Sequence, residues 1–392
     1  MPRRLLIASG IALVLVLGAR WARVELAERA WTKRRAELAQ LALPPETLRR
    51  PWEVRYEALA QRVAGAQRFD ELLESPHRPQ VAWGSGEPRA LDEFETLWVA
   101  AARDEYAGLD SILRELRALP PEELAWHGEA VKLLFLREVV NFLCARAWLA
   151  VDAGGFAEAV QHHGDALRLA QATDAASLIG TMVRYAAQTI VLRSVRGALV
   201  RGVPAGELRA TLAPVLATWA YDPARAERGL RGELTAFLEQ VGEATPDDPL
   251  DALRQFRPIE EALALARAPL ASTPWGRGEP GTGPTARDDG RLQHWDVGVR
   301  QLHAFHAAGN VALTALAVAA HRERHAAWPA TLADVADLPR EHALDPLTGA
   351  PLAYALTADG VRIGPAAWGE RVESWDDVDA SPFVWTLSES RP

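Results

Sequence analysis

A change of hydrophobic period at Trp328-Pro329 limits what this chain can fold into more than any other feature. Before it, from about 295 to 327, Val297, Val299, Leu302, Phe305, Val311, Leu313, Leu316 and Val318 recur at spacings that keep one broad apolar face. That pattern predicts a long amphipathic helix. Pro329 stops it, because proline has no N–H to donate and pushes the preceding residue, Trp328, out of the helical region. Thr331 then reads as the N-cap of a short helical turn over 331–338. Asp345-Pro346 opens a turn, and Gly349 supplies a second joint. From there the pattern predicts short strands over 352–356, 361–363 and 383–387, with Ala358-Asp359-Gly360 as the hairpin turn between the first two.

This order is similar to the C-terminal region of the type II secretion major pseudopilin: a long helix, a (Y/W)P-x-x-L signature, then D-P-x-x-G-x-P-x-x-Y leading into a small antiparallel sheet. The matching residues are Trp328, Pro329, Leu332, Asp345, Pro346, Gly349, Pro351 and Tyr354. A closer resemblance is to uncharacterised bacterial envelope proteins that carry this tail behind a helical repeat region. They end in an acidic loop and a "VW" strand, here Asp376, Asp377 and Asp379, then Val384-Trp385. The resemblance covers roughly the last quarter of the chain and implies a compact α+β cap. It also implies calcium in a loop of that region, but Gly364-Pro365 stands where the acidic run would be expected. A solvated acidic loop is the favoured reading of Asp376 to Asp379. Two departures argue against a filament subunit. No Gly-Phe-x-x-x-Glu processing site is present, and the tail lies far along the chain from the apolar N-terminal run.

The chain begins MPRRLLIASGIALVLVLGARWA. Residues 5–22 would span ~27 Å as a helix, slightly short of a ~30 Å hydrocarbon core, and Arg20 and Trp21 suit the interface. An uncleaved anchor, a cleaved signal peptide and a buried helix all fit. Continuation of the helical pattern through Val24, Leu26 and Trp31 favours the anchor. Arg3 and Arg4 argue for a cytoplasmic N-terminus, hence a single-pass inner-membrane protein with its bulk in the periplasm. The net charge of −9 gives no basic footprint for nucleic acid. The single cysteine, Cys144, excludes an internal disulfide and a multi-cysteine zinc site, and reads as a small buried side chain.

Between the ends, Pro and Gly punctuate a series of expected helices. They fall over 52–63, 94–119, 121–153, 156–173, 177–201, 205–219, from 222 to about 241, and 250–266, with a loop over 75–89. Gly154-Gly155-Phe156, with Ala159 and Ala166, resembles one tetratricopeptide unit; a generic antiparallel bundle accounts for it equally well. Residues 271–291 read as a linker, since Gly, Pro, Thr and charges dominate. The expected organisation is a membrane segment 1–22, a helical domain 23–270, that linker, and a pseudopilin-like domain 292–392. The fold class is mainly α, with helical hairpins and a small α+β cap.

Four histidines, His303, His306, His321 and His325, lie on the long helix. His321 and His325 have the i, i+4 spacing that grips a metal, yet His-Arg-Glu-Arg-His is not H-E-x-x-H and two arginines would repel a dication. A solvated or interface face is the favoured reading. His162 and His163 are adjacent and point different ways, so no site is read there. Aspartates and glutamates are assigned to the polar faces of helices. No catalytic, cofactor-binding or metal residue is singled out. The expected role is a non-enzymatic, membrane-anchored scaffold with protein partners, a secretion or pilus-like assembly being one candidate setting. The alternative is a periplasmic enzyme whose site lies between helical body and cap.

Overall fold

A computed structural model describes residues 25–37, 39–40, 50–64, 71–79 except 73, 90–124, 133–172, 178–220, 294–366 except 347, and 384–388, with isolated positions between 223 and 267. Helix takes up 73% of these residues, and one three-stranded antiparallel sheet completes them, so the fold is mainly α with a small β element. The apolar run 5–19, the linker 271–291 and the acidic loop 376–379 lie outside the described residues. Among the described residues no helix is long and apolar enough to cross a membrane.

Residues 25–37 are helical. Then follow α1 (Pro51–Ala64), α2 (Glu93–Glu105), α3 (Leu109–Ala118), α4 (Leu133–Asp152), α5 (Phe156–Ala172), α6 (Leu178–Val200), α7 (Ala205–Leu216) and α8 (His294–His325). Helix α2 starts on a reciprocal cap: Glu95 N–H donates to Asp92 (2.8 Å) and Asp92 N–H to Glu95 (2.9 Å). The single helix expected over 94–119 is two. Gly108, at φ +100°, turns the chain between α2 and α3, a conformation that only glycine adopts cheaply. The helix expected over 121–153 is a 3-10 turn, Pro121–Glu123, followed by α4, with 125–132 outside the described residues. The helices expected over 222–241 and 250–266 also fall largely outside; the positions described there are helical, and Arg267 pairs with Glu227 at 2.7 Å.

Helices α4 and α5 form the expected hairpin. Gly154 N–H donates to the Val151 carbonyl and Gly155 N–H to that of Ala150, with Gly154 at φ +74°, which is the Schellman way of ending a helix. Ala159 and Ala166 are fully buried, so their small side chains let the helices approach. Helix α8 packs across α6 and α7. The room beside Gly309 is filled by Trp219; a Cβ there would lie 3.2 Å from the Trp219 Cβ. Phe305 stands edge-on to both Tyr185 and Trp219.

The sheet is β1 (Ala353–Thr357), β2 (Gly360–Gly364) and β3 (Trp385–Ser388) in that spatial order. Thr357 pairs with Gly360, so the turn is the two residues Ala358-Asp359 and Gly360 already belongs to β2. Strands β2 and β3 bury Val361, Ile363, Trp385 and Leu387 against α8, while Leu356 on β1 is 55% exposed. One continuous cluster of buried side chains runs from Trp52 through the helices to Leu387. Each large side chain taken out of water contributes ~1.5–3 kcal/mol, so that shared core does most to join body and cap.

Candidate functional site

The residues that carry the C-terminal resemblance lie at the exit of α8 and in the turn that leads into the sheet. Helix α8 ends with Ala326 at φ +55°, its N–H on the Arg322 carbonyl at 2.8 Å. This is a left-handed exit taken by alanine where glycine is usual. Trp328 is half-buried, with the Arg322 guanidinium 5.7 Å from its ring centroid. The Tyr354 hydroxyl donates to the Pro329 carbonyl at 2.5 Å, tying β1 to the chain leaving the helix. Asp345, fully buried, makes the turn through its backbone. Its carbonyl accepts from Thr348 N–H and from Gly349 N–H (2.7 Å), and its own N–H donates to Ala350 O at 2.8 Å. Leu344 and Pro351 form a β-bridge beside it, and Gly349 sits at φ +70°. The expected helical turn over 331–338 is shorter, a 3-10 turn at Leu332–Asp334, where Asp334 accepts from the Thr331 N–H (2.8 Å) and hydroxyl.

The long helix holds this turn from within. Asn310 donates to the carbonyls of Glu341 (3.2 Å) and Leu344 (3.0 Å), and Thr314 donates to that of His342 (2.9 Å). His306 lies against His342, and burial together with that neighbour pushes its imidazole down to about 4, with Asp345 acting the other way. At the other end of α8, Glu323 accepts from the N–H groups of Ala205 (2.5 Å) and Gly206 (3.1 Å), the first two residues of α7. Arg324 pairs with Asp337 at 2.9 Å, and Arg209 from α7 joins the same carboxylate. The His321 and His325 rings lie 4.3 Å apart, tilted by 41°. The ring of His303 lies outside the described side chains.

Inside the body, several charged and polar groups depart from the sequence expectation. Glu53, Glu95, Glu138 and Asp165 are buried, where carboxylates were expected on polar faces. Asp165 takes a two-pronged bond from Arg117 at 2.5 and 2.6 Å, and Arg168 closes the end of α3 through the Leu116 and Leu119 carbonyls. Glu138 is clasped by Arg78 and Arg137. Asp165 and Glu138 enter the core because guanidiniums enter with them, which offsets the desolvation cost. Gln171 receives a bond from Arg184 at 3.0 Å and donates to Thr218.

His162 and His163 are both buried and have different partners, His162 bonding to Glu158. His163 Nδ1 lies 2.9 Å from the Ala159 carbonyl, which fixes that nitrogen as the donor; Nε2 then accepts from the Ser194 hydroxyl at 2.9 Å. Cys144 bonds to the same Ser194. A thiol, a hydroxyl and an imidazole are thus chained across α4, α5 and α6. The residue types are those of nucleophilic catalysis, yet the environment is the reverse of an activating one. Burial pushes the thiol up to about 12 and the imidazole down to about 4, so neither thiolate nor imidazolium forms near neutrality. Nothing local announces this cluster, because its members come from three separate helices. Among the described residues, no three His, Cys, Asp or Glu side chains converge as a metal cluster. Comparison with protein-family models, curated proteins and solved structures finds no match.

Proposed function

We propose that this chain is a non-enzymatic envelope protein, anchored by residues 1–22, that serves as a scaffold for protein partners, in the manner of a component of a secretion or pilus-like assembly. The observation that supports it most is where the polar chemistry of the described residues goes. Arg117-Asp165, Cys144-Ser194-His163 and Asn310-Thr314 all bond helix to helix or helix to turn, and so fix a shape. The motif residues Trp328, Pro329, Asp345, Gly349 and Tyr354 likewise build the joint between α8 and the sheet. The enzyme alternative places a site between body and cap. That boundary is occupied by Phe305, Val311, Leu316, Ile363 and Trp385, all buried.

The test is membrane fractionation followed by purification of the tagged full chain in detergent. The chain is expected to resist alkaline carbonate, to be released by detergent, and to elute with stoichiometric partner proteins. Release by carbonate with residues 1–22 still present removes the anchor. A partner-free chain from mildly solubilised membranes removes the scaffold.

A further inference from the structure

The last turn of α8 carries His321 and His325 on one side of the helix, four residues apart, with ring centroids 4.3 Å apart. His325 is exposed and His321 half-buried, so both imidazoles are open to solvent. The objection raised by the sequence is the pair of arginines between them, and each guanidinium is engaged by another group. Arg322 lies along the Trp328 ring, and Arg324 is paired with Asp337 at 2.9 Å. Glu323, the third charge between them, is bound to the α7 N-terminus.

We propose that His321 and His325 form a chelate for one divalent transition-metal ion, with water in the remaining positions, and that the ion staples the last turn of α8 where the chain swings out through Ala326. Two imidazole nitrogens select borderline metals, Cu2+ ahead of Ni2+ and Zn2+, over the oxygen-seeking Mg2+ and Ca2+. Both donors reach one ion only while residues 321–325 remain helical, so binding stabilises that turn. The site does not depend on whether the chain is a scaffold.

The experiment titrates the detergent-solubilised full chain with Cu2+, followed by electron paramagnetic resonance, and maps amide hydrogen exchange with and without Zn2+. The expected result is one Cu2+ with two-nitrogen coordination and protection confined to residues about the last turn of α8. His321→Ala and His325→Ala each weaken binding by at least about tenfold while the folded circular dichroism persists; His77→Ala, a histidine stacked on Phe94, leaves it unchanged. Unaltered Cu2+ affinity in both variants, protection elsewhere in the chain, or equal competition by Mg2+ overturns the proposal.

Discussion

Replacing Glu323 by alanine tests whether the long helix and the body are one mechanical unit. The Glu323 carboxylate accepts from the first two N–H groups of α7, and Pro204, the residue before them, supplies no side-chain cap. It therefore serves as a cap borrowed from an element more than a hundred residues away in sequence. Losing a cap costs ~0.5–2 kcal/mol. Ala205 is 1% exposed, so water reaches its N–H poorly, and an unpaired buried donor costs ~1–3 kcal/mol. The two figures describe overlapping losses, and about 2 kcal/mol is the working value. For a 392-residue chain that lowers Tm by roughly 2–3 °C. Glu323→Gln keeps one acceptor oxygen and should lose about half as much. Urea and thermal unfolding of the three proteins at one detergent concentration give the comparison. A Glu323→Ala protein that melts with the wild type would refute the reasoning and detach α8 from the body energetically.

Tyr354→Phe keeps the ring and removes only the hydrogen bond to Pro329, so urea unfolding should show a loss of about 1 kcal/mol; no loss would mean that packing alone closes the joint. His163 and His306 are both held at about 4, below the ~6.5 of an unfolded histidine, so the unfolded chain takes up protons first as pH falls. Stability is full above about 6.5 and declines towards 4, by up to about 3 kcal/mol per histidine. Urea midpoints taken across that window should fall, and His306→Gln should flatten the slope; midpoints that rise with acid would reverse the sign. Cys144, fully buried with its thiol raised to about 12, should react with a disulfide reagent at least about a hundredfold more slowly when folded than in urea, and equal rates would place it at the surface.

The parts of the fold that are readable from sequence are those fixed by local chemistry. Pro329 ends α8 within a few residues of His325, Gly154-Gly155 separates α4 from α5, and the three expected strands lie within two residues of those observed. Gly108 escapes such a reading because its neighbours keep a helical apolar pattern on both sides, so the periodicity runs through a break that only the backbone shows. The polar interior is illegible for a different reason. Whether Asp165 or Glu138 is solvated or buried depends on Arg117 and Arg78, which come from other elements. The Cys144-Ser194-His163 chain needs three helices packed before it exists.

The packing of α8 onto α6 and α7 also sets an order of events during synthesis. Tyr185 and Trp219 leave the ribosome long before Phe305, the ring against which both rest. At about 5–20 residues per second the wait is on the order of ten seconds. For that interval the newborn chain carries an uncovered aromatic seam, a ready target for a holding chaperone and a weak point for aggregation if translation stalls between the two.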